Sequence, residues 1–249
     1  KLWDWKTGAC IKTLTGHTHF VGSLTMVNAD ILASASSDKT VKLWDWKTGT
    51  EIKTLAGHSD DVYSLTMVNA DILASASADN TVKLWDWKTG ACIKTLTGHT
   101  SFVKSLTMVN ADILASGSKD NTVKLWDWKR GAEMKTLTGH SEGVNTLTMV
   151  NADILASGSY DNTVKLWDWK RGAEIKTLTG HSSWVRSLTM VNADIVASGS
   201  LDEPVKLWDW KTGAEIKTLK GHSNWVKSLT MVNADILASA SDDKTVKLW

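Results

Sequence analysis

Tryptophan returns every 41 residues along this chain, at Trp3, Trp44, Trp85, Trp126, Trp167, Trp208 and Trp249, with no insertion or deletion between copies. A period of that length means that each copy is one supersecondary unit, whose apolar faces are buried only when neighbouring copies stack on it. Within the first full unit, four strand-like runs can be read: Cys10 to Leu14, Phe20 to Val27, Asp30 to Ser36 and Thr40 to Trp46. Gly16, Asn28 and Gly49 punctuate the gaps between them. Val and Ile supply β-propensity, and the small residues of the third run suit a strand packed closely on both faces. Four short strands per unit is the content of one propeller blade. The expected fold is therefore all-β, a single domain over residues 1–249 made of six four-stranded antiparallel blades.

The residues also carry a resemblance. Gly16-His17, the run Leu32 to Ser36, the turn residue Asp38 and Lys42 to Asp45 resemble the WD-repeat family in order, spacing and multiplicity, and the pattern holds in all six copies. The resemblance implies a six-bladed β-propeller with strand order d, a, b, c along each repeat, the d strand closing the outer edge of the preceding blade. Cys10 to Leu14 would then complete the blade begun by Asn224 to Trp249, an N-terminal strand joining the C-terminal blade and removing an open sheet edge. Two departures matter. The family's usual ring has seven blades, so a closed monomer and an oligomer with blades shared between chains both stay open. In addition, Lys1-Leu2-Trp3 and Lys247-Leu248-Trp249 compete for one slot, and one copy is expected to be displaced or frayed.

Each repeat contains a Ser, a His and an Asp, the groups of a hydrolytic triad; Ser34, Asp38 and His58 are examples, and which His meets which Asp is left to the fold. Hydrolysis would also need an exposed nucleophile and an oxyanion hole. The resemblance implies instead a buried hydrogen-bonded tetrad: His17, Ser34, Asp38 and Trp44, repeated at 41-residue steps to His222, Ser239, Asp243 and Trp249. Imidazole would link carboxylate to hydroxyl, and the hydroxyl would accept from the indole N–H, pairing every buried polar group. Six equivalent copies point to architecture, and no enzyme activity is expected. The second Trp of each WDW, at Trp5, Trp46, Trp87, Trp128, Trp169 and Trp210, is read as a cover for the end of the core.

The repeats align with one another, and their differences gather just after each Gly-His and just before each turn Asp. A four-stranded meander puts the d-to-a and b-to-c connections at one end. The variable positions there include His19, Asp60, Glu142 and Asn224; then Phe20, Asp61, Phe102, Trp184 and Trp225; then Tyr63, Lys104, Asn145, Arg186 and Lys227; and, before the turn Asp, Lys119, Tyr160, Leu201 and Asp242. Exchanges of Asp for Trp or Gly for Arg would not be accepted in a packed interior. These residues form the expected partner face, centred on Trp184, Trp225 and Phe20, since aromatics with Arg are common interface anchors. Blade five differs locally: Leu201-Asp202-Glu203-Pro204 opens its strand with Pro, which is tolerated at a first strand position.

Lys plus Arg number 28 against 27 Asp plus Glu, so no overall field draws the chain to nucleic acid or an anionic membrane. Lys104, Lys119, Arg186 and Lys227 alternate with acids and form no basic stripe, so no specific nucleic acid is expected. No apolar run approaches the ~20 residues that span a bilayer, and the opening KLWDWKTG lacks the features of a secretion signal. Cys10 and Cys92 share one register of two repeats without metal-ligand spacing, as expected of a reducing, cytoplasmic setting. No metal or cofactor is expected. The functional expectation is a scaffold that binds protein or peptide through the variable face, most simply as a monomer. The near-identity of the units is similar to recently amplified repeat arrays such as the sensor regions of NOD-like signalling proteins. The alternative is a recently amplified or designed propeller with no selected ligand.

Overall fold

The computed structural model describes residues 1–4 and 6–249, and among them there is no helix. The chain divides into two compact units, Lys1–Leu106 and Thr107–Trp249. The first opens with a short antiparallel pair, β1 (Leu2–Trp3) and β2 (Cys10–Lys12). Two four-stranded sheets follow: β3 (Val21–Met26), β4 (Ile31–Ser36), β5 (Thr40–Asp45) and β6 (Thr50–Ala56), then β7 (Val62–Met67), β8 (Ile72–Ser77), β9 (Val82–Asp86) and β10 (Cys92–Leu96). The boundary between units falls within β11 (Val103–Met108).

The second unit continues with β12 (Ile113–Ser118), β13 (Val123–Asp127) and β14 (Ala132–Leu137). Two complete sheets come next: β15 (Val144–Met149), β16 (Ile154–Ser159), β17 (Val164–Asp168) and β18 (Ala173–Leu178), then β19 (Val185–Met190), β20 (Ile195–Ser200), β21 (Val205–Asp209) and β22 (Glu215–Leu219). A three-stranded sheet, β23 (Val226–Met231), β24 (Leu237–Ser241) and β25 (Val246–Leu248), ends it. The chain is thus all-β, with six antiparallel sheets of the propeller-blade type in chain order.

Local chemistry explains the blade. The b strands β4, β8, β12, β16 and β20 are almost wholly buried, which is why they carry Ala, Ser and Gly between two larger faces. In the c strands, Val164, Leu166 and Trp167 are buried while Lys165 is half-buried, so both faces of the strand are covered at its Leu-Trp end. The a-to-b turn is an Asx turn in every repeat: Asn28 Oδ1, for instance, accepts the amides of Asp30 and Ile31 at 2.8 and 2.9 Å. The second tryptophan of the WDW run closes that turn, Trp46 Nε1 donating to the Ala29 carbonyl at 3.0 Å and Trp169 Nε1 to that of Ala152 at 3.0 Å. Trp5, the first of these tryptophans, lies outside the described residues.

Successive blades pack face to face. Ala156, Val164, Leu166 and Leu178 of one sheet meet Val185, Leu188, Val196 and Trp208 of the next in a single buried cluster. Full burial of each such aliphatic side chain is worth roughly 1.5–3 kcal/mol before entropy is counted. At the inner strands, serine ties blade to blade: Ser23 Oγ accepts the Leu65 amide at 3.2 Å, and Ser187 Oγ accepts that of Leu229 at 2.9 Å.

The two chain ends differ from the interior. Lys247-Leu248-Trp249 takes the c position of the last sheet, Lys247 pairing with Ser239. The other copy, Lys1-Leu2-Trp3, pairs with β2 in the register that Leu43 and Lys53 keep in the first full blade, Leu2 with Lys12, and Trp3 is exposed. The last sheet has three strands, and the strand type that it lacks, d, is present in β2, the inventory that closure by the N-terminal strand requires. On the first blade, Val21 is 49% exposed against 1% for Val62 in the second. A cavity of about 460 Å³ runs along β3 between Leu2, Leu14, Val21 and Leu24.

Candidate partner-binding face

The buried polar residues settle first. His17 Nδ1 lies 2.7 Å from Asp38 Oδ2, His17 Nε2 lies 2.7 Å from Ser34 Oγ, and Trp44 Nε1 donates to the same hydroxyl at 2.8 Å. His58 does not meet Asp38; it joins Asp79 and Ser75 with the same spacing. The last tetrad, His222, Ser239, Asp243 and Trp249, is formed with His222 Nε2 2.7 Å from Ser239 Oγ and Trp249 Nε1 2.8 Å from it. Burial lowers the His58 pKa, against the pull of Asp79, so the ring is neutral: Nδ1–H donates to the carboxylate and Nε2 accepts from serine. Burial alone would raise Asp79, but the Thr81 hydroxyl, His58 and the Ser59 amide outweigh it and hold the carboxyl below its usual range. The hydroxyls of Ser75, Ser157, Ser198 and Ser239 are buried and committed to two partners, the geometry of a structural brace, while Ser34 makes the same two bonds at the wall of the cavity along β3.

Asp38, Asp79, Asp161, Asp202 and Asp243 sit in b-to-c turns and also accept the amide of the residue after His, as Asp161 Oδ2 does from Ser141 at 3.1 Å. This pins the d-to-a loop beside the b-to-c turn. A backbone bond completes the link: Tyr160 N donates to the Gly143 carbonyl at 2.9 Å, Leu201 N to that of Trp184 at 3.1 Å, and Asp242 N to that of Trp225 at 3.0 Å. The two groups of variable positions therefore share one end of each blade. The large aromatics there are open to solvent, Phe20 at 87%, Trp184 at 44% and Trp225 at 46%.

In the first unit, which holds His19, Phe20, Asp60, Asp61, Tyr63, Phe102 and Lys104, one group is brought together. The rings of Tyr63 and Phe102 lie 6.4 Å apart, and Lys104 Nζ sits 3.3 Å from the centre of the former and 5.6 Å from that of the latter. In the second unit, Lys119, Glu142, Tyr160 and Trp184 line a cavity of about 430 Å³. Tyr160 and Trp184 meet edge to face, ring centres 4.6 Å apart at 82°. Asn145 donates through Nδ2 to the Val185 carbonyl at 3.1 Å and accepts from Arg186 at 3.5 Å. On the last blade, Lys227 pairs with Asp242 at 2.9 Å and lies 4.9 Å from the Trp225 ring centre. Asn224 lies just before that ring, its Oδ1 accepting the Trp225 amide.

Gly143 stands among the positions that vary between repeats, but sequence reasoning gave it no role on the partner face. A Cβ there would stand 2.8 Å from Tyr160 Cδ2 and 2.9 Å from Lys119 Cα, so glycine is what lets the tyrosine ring lie across the loop. The signal was present in the alignment of repeats, where this position alone among the six has no side chain.

Together these features define a repeat scaffold of the β-propeller class, with invariant buried braces and one variable end. The repeats at residues 8–45, 49–86, 90–127, 131–168, 172–209 and 213–249 match the WD40 family (WD domain, G-beta repeat), and the chain belongs to it. Among solved structures, the crystal structure of the computationally designed Ika8 protein is similar, with a TM-score of 0.85 and 34% identity, covering 99% of this chain and 76% of that one. No curated protein matches the chain.

Proposed function

We propose that this protein is a non-catalytic recognition module that binds a protein or peptide through the variable d-to-a and b-to-c end of its blades. One observation carries the reading: at an end where the backbone is fixed by repeated tetrads, the chain varies only outward-facing side chains and leaves Trp184 and Trp225 nearly half exposed. Loops on a rigid frame that present aromatics with Arg and Lys suit partner binding. Catalysis has no support from the tetrads, whose serine hydroxyls are committed to imidazole and indole, Ser34 beside the cavity included. A sensor role like that of recently amplified repeat arrays in NOD-like proteins, a cytoplasmic location and a monomeric state belong to the same reading.

The likeness to a computationally designed protein favours a second reading, a designed or recently amplified propeller without a selected ligand. Affinity capture with the wild type and with a Trp184→Ala, Trp225→Ala double variant separates the two. Recovery of a discrete partner by the wild type and its loss in the variant is expected. Equal recovery by both would reject this face, and a wild type that captures nothing would favour the second reading.

A further inference from the structure

In four sheets a lysine of the c strand is neutralised by a glutamate of the d strand beside it. Lys42 Nζ donates to both carboxylate oxygens of Glu51, at 2.9 and 2.8 Å, and to Thr54 Oγ1 at 2.8 Å. Lys124 with Glu133, Lys165 with Glu174 and Lys206 with Glu215 repeat the pair at 2.8, 2.8 and 2.7 Å. In the second blade Cys92 stands at the glutamate register, opposite Trp85 as Glu51 is opposite Trp44. Lys83 Nζ still donates to Thr95 Oγ1 at 3.0 Å, and among the described residues it has no carboxylate partner. The Cys92 thiol is exposed, with Sγ 3.8 Å from the same threonine hydroxyl. The missing acid leaves two marks. A Cβ on Gly16 or Gly139 would meet a glutamate Oε2 at 3.0 Å, whereas one on Gly57 would meet only the Trp85 ring. Burial holds the His58 pKa down, and the unbalanced Lys83 ammonium adds to that shift.

We propose that Cys92 is an oxidative modification site, whose sulfinate takes the place of the missing carboxylate between Lys83 and Thr95. The oxidant is hydrogen peroxide. The thiolate sulfur attacks one peroxide oxygen, the S–O bond forms as the O–O bond breaks, and the departing hydroxide takes up a proton to leave as water. A second peroxide oxidises the sulfenate in the same way, so one thiolate and two peroxides give one sulfinate and two waters. The product is an anion with two oxygens, the kind of group that the lysine and threonine hold in the four other sheets. Its oxygens sit one bond closer to the backbone than those of glutamate, but an S–O bond spans much of the 3.8 Å from Sγ to Thr95 Oγ1. Bonds from an ammonium and a hydroxyl to this anion are charge-assisted, so oxidation stabilises the second blade. Cys10 supplies an internal control. It too is exposed, at the same register opposite Trp3, but among the described residues no lysine–threonine pair lies beside it, since Lys1 Nζ is turned to the Trp3 ring, 5.8 Å from its centre. The site shares no residue with the proposed partner-binding face.

The test treats the full chain with hydrogen peroxide in two backgrounds, Cys10→Ser, which keeps only Cys92, and Cys92→Ser, which keeps only Cys10. Peptide mass spectrometry follows the oxygens gained by each thiol, and thermal melts by circular dichroism follow stability. In Cys10→Ser, Cys92 is expected to gain two oxygens and Tm to rise by about 2–4 °C. In Cys92→Ser the same treatment leaves Tm without a rise. Cys92→Glu reproduces the rise with no oxidant, and adding Lys83→Gln to Cys10→Ser abolishes it although Cys92 still gains its oxygens. An oxidised Cys92 with Tm unchanged or lowered, a rise that survives Lys83→Gln, or a Cys92→Glu variant no more stable than the parent overturns the proposal. So does a Cys92 that stays a thiol or ends as a disulfide-linked dimer instead of the sulfinate.

Discussion

A neutral imidazole held between a carboxylate and a hydroxyl makes the His58 tetrad sensitive to acid. Burial lowers His58, so its proton binds more readily in the unfolded chain, where imidazole titrates near 6.5. Its contribution to stability is complete above that value and declines as the pH falls through and below it. Asp79 is held below the ordinary carboxylate range, so its contribution is complete above the unfolded value of about 3.9 and is lost on further acidification. Both act in the same direction. Thermal melts followed by circular dichroism should therefore show Tm declining below about pH 6.5 and falling more steeply below about pH 4. A Tm that is flat from pH 7 to pH 5 would show that unfolding does not change the proton affinity of His58. The tetrads were legible residue by residue in the sequence because their members sit at fixed offsets within one repeat; only the pairing of each histidine needed the fold, which joined His17 rather than His58 to Asp38.

Strand β16 is tightly enclosed. A Cβ on Gly158 would stand 2.6 Å from Val185 Cγ1 of the next blade and 2.8 Å from Cγ2 of Thr146, its cross-strand partner. The equivalent pairs in the first two blades are Ser23 with Ala35 and Ser64 with Ala76, where serine lacks the threonine methyl. Gly158→Ala is therefore expected to cost roughly 1–3 kcal/mol by overpacking. Adding Thr146→Ser should recover part of it, measured by urea denaturation of both variants. A neutral Gly158→Ala would mean that Val185 yields without cost. Patterns of this kind were visible as repeat differences, but their meaning was not. Neither was the Tyr160–Trp184 pair, because two rings on different blades meet only through rotamers and through the space left at Gly143.

For the molecule as a whole, the all-β class and the six blades were written in the 41-residue period, which permits few alternatives. Both terminal Lys-Leu-Trp copies keep c-type pairing, one with β2 and the other with β24, so the competition between them was legible in the sequence but not its outcome.

The near-identity of the units has a kinetic consequence. Lys42 pairs with Thr54, Lys124 with Thr136, Lys165 with Thr177 and Lys206 with Thr218, all through almost the same residues. A strand emerging from denaturant meets several partners that fit equally well, on its own chain and on others, so wrong couplings are nearly as favourable as right ones. Refolding by dilution should accordingly become slower and less complete as chain concentration rises, with soluble dimers appearing by size-exclusion chromatography. A yield independent of concentration would mean that the variable loops alone are enough to keep each strand with its own blade.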